Sequence, residues 1–167
     1  MKYSFEKALE ILERTPDVLQ TLLAGLSEEW IMNNEGEKTF SAFDVVGHLL
    51  HGERTDWMER AKMILEKGTT QTFDSYDRFA MYNESKGKNL SQLLAEFKTA
   101  RKKNIELLHS FSIDETKLNL KGIHPKFGEV TLRQLLATWV IHDLTHLSQI
   151  ARVMAKQYKS DMGPWLE

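Results

Sequence analysis

Apolar residues recur at steps of three and four in four stretches of this chain, the spacing of helices that each bury one face. The first stretch runs from about Ser4 to Ala24, with Phe5, Leu9, Leu12, Leu19 and Leu23 on its apolar side. Thr15-Pro16 within it reads as an N-cap followed by a first-turn proline, so the helix restarts or kinks there, and Gly25 fits its stop. The second runs from about Ala42 to Glu66, opened by Ser41 with Asp44 three residues on, and ended by Gly68. The third runs from about Leu90 to Ser110, with Asn89 as N-cap and Gln92 at the capping-box position. The fourth, opened by Thr131, runs from about Leu132 to Tyr158. No stretch reads as a strand; residues 117–123 alternate only weakly.

Four amphipathic helices in 167 residues predict an all-α fold, a four-helix bundle forming a single domain over residues 1–167. The connections at residues 26–40, 67–88 and 111–130 are long, where bundle turns usually take roughly two to eight residues. They leave room for crossovers and supply walls for a pocket. Composition is that of a soluble globular chain, 41% hydrophobic and 28% charged, with a formal net charge of -2. With no basic run or basic-aromatic stripe, nucleic acid is not an expected partner. No apolar run approaches membrane-spanning length, and Met1 to Glu6 begins an amphipathic stretch without an apolar signal region, so no membrane partner and a cytoplasmic location are expected. Cysteine is absent. Disulfides, thiolate nucleophiles and zinc-thiolate sites are excluded, and sulfur chemistry would need a thiol carried by a substrate.

The fourth helix holds the most informative pattern. Leu132, Leu135, Trp139, His142, His146, Gln149 and Val153 form one seam, with two histidines and a glutamine where leucines are expected. His142 and His146 lie one helical turn apart, so both imidazoles leave the same face and can converge on one metal ion. The plain alternative is a pair of hydrogen-bonded core histidines. A third ligand is available on the second helix, where His48 shares a line with Val45 and Gly52, and His51 sits nearer the flank. Gly52 would leave room for a metal or ligand beside the backbone. Periodicity leaves both histidines open. Three neutral imidazoles with open positions make a catalytic type of site, because a closed structural one takes four protein ligands.

Rival constellations are weaker. His142-Asp143-Leu144-Thr145-His146 imitates a zincin motif with aspartate in place of the catalytic glutamate, but no histidine follows, and the later acids are only Asp161 and Glu167. Asp143 is therefore read as a helix-flank residue. A di-iron oxidase would draw on Glu106 and His109 with Asp143 and His146, leaving His142 without a role. Arg101 and Asn104 interrupt the third helix's stripe, and Glu53 and Asp56 flank the second helix. An Arg101–carboxylate pair would either orient the bundle or stabilise an anionic substrate. Gln149 would hold a water beside the site or bridge helices. His124 reads as part of a turn, and Trp30, Trp57, Trp139 and Trp165 as packing residues.

The run Phe40-Ser41-Ala42-Phe43-Asp44-Val45-Val46-Gly47-His48-Leu49 leading to Glu53 and Trp57, then Phe97 through Arg101, Gly128 through Gln149, and the Gly163-Pro164-Trp165 ending resemble the DinB-like superfamily of metal-binding four-helix bundles. The resemblance covers nearly the whole chain. It implies a three-histidine site at His48, His142 and His146, choosing His48 over His51, filled by one divalent metal: nickel, zinc, iron or manganese. Characterised relatives include S-transferases and isomerases that use bacillithiol, mycothiol or glutathione. The resemblance thus implies a metal-dependent enzyme, a thiol S-transferase, isomerase or hydrolase acting on small electrophiles in detoxification or stress, with a low-molecular-weight thiol as a second cofactor. It also implies a homodimer. The alternative is a non-catalytic metal-binding or dimerising module.

Overall fold

A computed structural model describes residues 1–165; Glu167, weighed above as a downstream acid, lies outside the described residues. Three of the long helices begin as their sequences predict. Ser41, Asn89 and Thr131 each cap a helix through a reciprocal box with Asp44, Gln92 and Gln134, which satisfies backbone N–H groups that no helical turn can reach.

The first helical column is broken into α1 (Phe5–Leu12) and α2 (Thr15–Leu23). Thr15 is not its N-cap: Arg14 occupies that place, and Thr15 Oγ1 donates back to the Ile11 carbonyl at 3.1 Å. The break follows from Pro16, which lacks the N–H that would bond to the carbonyl of Leu12. After a short α3 (Glu28–Met32), the second column is also interrupted, into α4 (Ala42–Thr55) and α5 (Trp57–Lys67). The interruption, unforeseen in the sequence, falls on Asp56, whose φ of -120° and ψ of -74° leave the helical region. The short α6 (Met81–Ser85) precedes α7 (Leu90–Ser110), an unbroken column. Next comes α8 (Glu115–Leu118), then β1 (Lys121–His124), β2 (Gly128–Thr131) and finally α9 (Leu132–Lys156). The two strands form an antiparallel hairpin, pairing Gly122 with Val130, where the sequence predicted none. Four-residue strands are too short to show period-2 alternation, and this one depends on tertiary contact. A Cβ at Gly122 would lie 2.8 Å from both Ile64 and Phe73, so glycine lets the hairpin close onto α5.

Two apolar clusters fill the bundle. One gathers Leu9 and Leu12, Trp57 to Ile64, Ile105 and Leu108, and Leu132 to Trp139. The other gathers Leu19 and Leu23, Val45 to Leu50, Leu93 to Phe97, and Ile150. Following the columns between clusters gives their directions. The first and last columns run from the former cluster to the latter; the second column and α7 run the opposite way. Those two neighbours are therefore parallel, and residues 68–89 form the crossover that returns the chain. The order is not up-down-up-down.

Between the clusters lies a charged layer centred on Arg101, which is 1% exposed. Its Nη1 donates to the Leu12 carbonyl that Pro16 leaves free and to Asp143 Oδ2, both at 2.7 Å. Its Nη2 donates to Glu53 Oε1 at 2.7 Å and Asp143 Oδ1 at 3.1 Å. One turn along, Asn104 Nδ2 donates to the Glu53 carbonyl beside the Asp56 interruption and to Glu53 Oε2. So α7 supplies donors to both broken columns. Burial works against the guanidinium charge, but Glu53 and Asp143 outweigh it and hold the Arg101 pKa above the ordinary value.

Replacing Arg101 with leucine strands two buried carboxylates and a carbonyl, so urea melts should show a loss of ~3–5 kcal/mol. Asn104→Ala should cost less, about 1–3 kcal/mol. An unchanged midpoint for Arg101→Leu would show that the layer does not hold the columns together.

Candidate metal centre

The layer fixes the azimuth of α9. Asp143 is fully buried, not the flank residue its sequence neighbours implied, and its bidentate bond to Arg101 turns the preceding His142 and the following His146 to one side. On α4, Glu53 is held by the same guanidinium and by Trp139 Nε1, which donates to Oε1 at 3.1 Å. His48 lies five residues earlier and meets the α9 pair.

Ring nitrogens of His48, His142 and His146 lie within 4.8 Å of one another, the single such cluster of ligating side chains among the described residues. His48 Nε2 and His142 Nε2 are 3.0 Å apart. Two nitrogens on one tetrahedral ion would stand roughly 3.4 Å apart, so the donors are almost at ligation distance. Outer partners hold two of the rings. His146 Nδ1 donates to Gln149 Oε1 at 2.8 Å, leaving the Nε2 lone pair free. With its proton on Nδ1, His48 donates to the Tyr76 hydroxyl at 3.3 Å and likewise frees Nε2. His142 Nδ1 is buried without a partner, and its ring is fixed by packing instead, with the Trp57 indole edge-on at 5.0 Å. Trp57 stacks in turn on Trp139 at 5.6 Å.

The chemistry of this donor set, three neutral imidazoles, fits a borderline divalent ion and does not choose among nickel, zinc, iron and manganese. Burial is the main cause holding the imidazoles neutral. It lowers His48 to about 4 and His142 to about 2, with the other site histidines adding to the effect. His146 is also lowered by burial, against the opposing bond to Gln149. Above the three rings a cavity of about 550 Å³ opens between the second column, α9 and the two connections that flank the second column. Phe40 and Trp57 supply apolar wall; Tyr76, Lys38 and Arg78 come from the connections. No periodicity marks those last three, which is why the sequence did not single them out. Gly52 lines the cavity as well, but its task is different from the one expected. A Cβ there would sit 3.2 Å from Trp57 Nε1, so glycine seats the indole.

The remaining candidates fall elsewhere. His51 is buried, with Nδ1 2.8 Å from Glu84 Oε1 and its ring beneath Tyr76, and ties α4 to α6. His124 Nδ1 accepts from the Lys126 and Phe127 amides, a turn as expected. Glu106 and His109 are exposed, facing Lys102 and Glu13, and form no di-iron cluster with Asp143. Trp57 and Trp139 are core residues, Trp30 packs edge-on to Tyr158, and Trp165 is exposed.

Fold and site together define a helical bundle with a three-histidine pocket between its second and last columns. A model of the DinB superfamily matches residues 11–150, and the chain belongs to that superfamily. Its structure is similar to YfiT from Bacillus subtilis, described as a probable metal-dependent hydrolase with an unusual four-helix bundle topology. The TM-score is 0.79 at 21% identity, over 93% of this chain and 90% of that one. It is also similar to TT2238, a four-helix bundle protein, with a TM-score of 0.60 at 19% identity, over 89% of this chain and 99% of that one. At such identities the likeness is one of fold. No curated protein matches the sequence. Among the described residues, no helix is long and apolar enough to cross a membrane.

The histidines predict a pH dependence. Each has a folded pKa below 6.5, the unperturbed value. Their contribution to stability is complete above that value. It declines as pH falls below it, because the unfolded chain then binds protons the folded one does not. Urea midpoints of metal-free protein should drop between pH 7 and 4, and less steeply in His142→Leu; equal slopes would contradict the assignment.

Proposed function

We propose that this chain is a metal-dependent hydrolase of small molecules, with one divalent ion held by His48, His142 and His146. The observation that carries the reading is the convergence of three neutral imidazoles at the floor of a cavity large enough for a small substrate. Three protein ligands leave coordination positions for water and substrate, as catalytic sites do. The likeness to YfiT supports the same class. When bound, such an ion supplies Lewis acidity, polarising a carbonyl oxygen or lowering the pKa of water or a thiol toward neutrality.

The chain's own residues do the rest. Gln149 Oε1, an acceptor only, holds a proton on the outward nitrogen of His146, and the Tyr76 hydroxyl can accept one from His48, which leaves the inward lone pairs available. Trp57 and Phe40 keep one side of the site apolar, which strengthens electrostatic interactions at its floor. Burial, with Asp56 and Glu84 nearby, pushes the Tyr76 pKa up, so its hydroxyl stays protonated. S-transfer is the finer alternative. Without a cysteine in the chain, it would need bacillithiol, mycothiol or glutathione as a co-substrate.

Protein purified without a histidine tag should hold about one divalent ion per chain by elemental analysis. His48→Ala, His142→Ala and His146→Ala should each lose it. Gln149→Ala, which frees only the tautomer of His146, should weaken metal affinity by roughly 10–100-fold. Unchanged metal content in all three histidine variants would remove the reading. Metal-dependent cleavage of esters or amides without added thiol supports the hydrolase. Turnover of monochlorobimane only with a thiol supports S-transfer, and metal-induced stabilisation with no turnover supports the non-catalytic module.

A further inference from the structure

The lining of the cavity carries charge that metal binding does not use. Two carboxylates line it, and each has its own arginine. Glu35 accepts from Arg152 Nη2 at 2.7 Å and from Arg152 Nε at 3.1 Å, while Asp56 Oδ1 lies 2.6 Å from Arg60 Nε. Two cations on the same lining, Lys38 and Arg78, form no ion pair among the described residues. The Arg78 guanidinium instead lies over the Phe79 ring, 4.6 Å from its centre. In a chain with a formal net charge of -2, this is a local excess of positive charge.

Lys38 is also held in an uncommon backbone state. Its φ of 62° lies in the left-handed region, which a residue with a Cβ enters at a cost of about 1 kcal/mol or more. The surrounding turn enforces it. Thr39 Oγ1 donates to the Gly36 carbonyl at 2.7 Å and accepts from the Glu35 amide at 3.0 Å, and the Gly36 amide donates to Asn34 Oδ1. Glu35 fastens that turn to Arg152 of α9, the helix of His142 and His146. Arg78 comes from the other connection, two residues beyond Tyr76, the hydrogen-bond partner of His48. Both cations are thus tied by one or two bonded steps to the elements that carry the three histidines.

We propose that Lys38 and Arg78 recognise an anionic group, carboxylate or phosphate, at one end of a substrate whose other end reaches the three histidines. This names the substrate class of the hydrolase reading and rests on it. A guanidinium fork and an ammonium are the groups that bind such oxygens through charge-assisted bonds. None of the three proposed ligands is anionic, so the charge of a divalent ion would add to that of the lining. Together they would steer anions into the cavity.

Hydroxamates test this without knowledge of the natural substrate, because they chelate divalent ions. Acetohydroxamate carries no further charge. The monohydroxamates of succinic, glutaric and adipic acids add a carboxylate at increasing reach, their methyl esters remove it, and the phosphonate-tailed analogues distinguish phosphate from carboxylate. Calorimetric titration of metal-loaded protein should show at least one acid or phosphonate binding roughly tenfold tighter than its ester. That gain should shrink at high salt and vanish in Lys38→Ala/Arg78→Ala, while acetohydroxamate binds the variant as it binds the parent. Equal binding of acids, phosphonates and esters would overturn the proposal, as would a gain that survives in the double variant. If no hydroxamate binds at all, the metal reading falls, and this inference with it.

Discussion

A guanidinium with almost none of its surface in water must find acceptors for its charge and its N–H groups, since an unmatched buried ion costs several kcal/mol. In this bundle those acceptors come from every other column. Arg101 of α7 takes the Leu12 carbonyl from the first column, Glu53 from the second and Asp143 from the last. One of these partnerships, and a further one made by Asn104, exist because neighbouring helices are broken. Pro16 frees the carbonyl of Leu12, and the departure of Asp56 from helical dihedrals opens the carbonyl of Glu53 to Asn104. Flanking rings of Phe97 and Trp139, about 5 Å from the guanidinium carbon, add cation–π attraction. Apolar packing alone would allow the columns to slide or rotate by a turn. A bidentate ion pair does not.

That constraint is what makes the histidine cluster a site. His48 and Glu53 sit on one helix, His142 and Asp143 on another, and in each case the charged residue is pinned by Arg101 while the histidine projects toward the cavity. The order of dependence runs from a charged layer that sets register, to two helices of fixed azimuth, to three nitrogens within reach of one ion. Tautomer selection at His146 by Gln149, and the hydrogen bond between Tyr76 and His48, complete it.

Much of this was legible in the sequence, for reasons that differ by residue. The capping boxes at Ser41, Asn89 and Thr131 are local chemistry, and they placed three helix starts to the residue. The three- and four-residue spacing of apolar positions in four stretches gave the bundle. His142 and His146 stood out because imidazoles occupied a seam of apolar residues, though the structure leaves them half-buried against the cavity. The fully buried line runs instead through Leu132, Leu136, Trp139 and Asp143, also at steps of three and four, and a charged residue on it was the signal of a buried ion pair. What sequence could not supply depends on distant partners: the interruption at Asp56, the hairpin wedged against α5, the parallel pairing of the second column with α7, and the cavity residues Lys38, Tyr76 and Arg78. The last three lie in, or arise from, connections with no periodic pattern, while the interruption falls inside a stretch whose apolar spacing reads as one helix.

The proposed chemistry requires that the Nε2 atoms of three particular histidines meet at one ion. Anomalous diffraction from crystals grown with nickel, zinc, iron or manganese measures that directly. The expected result is one strong peak at about 2.0–2.2 Å from Nε2 of His48, His142 and His146, with Gln149 still on His146 Nδ1. A peak held through Nδ1, one lacking His48, or one seated on His51, Glu84 or His124 instead would contradict it.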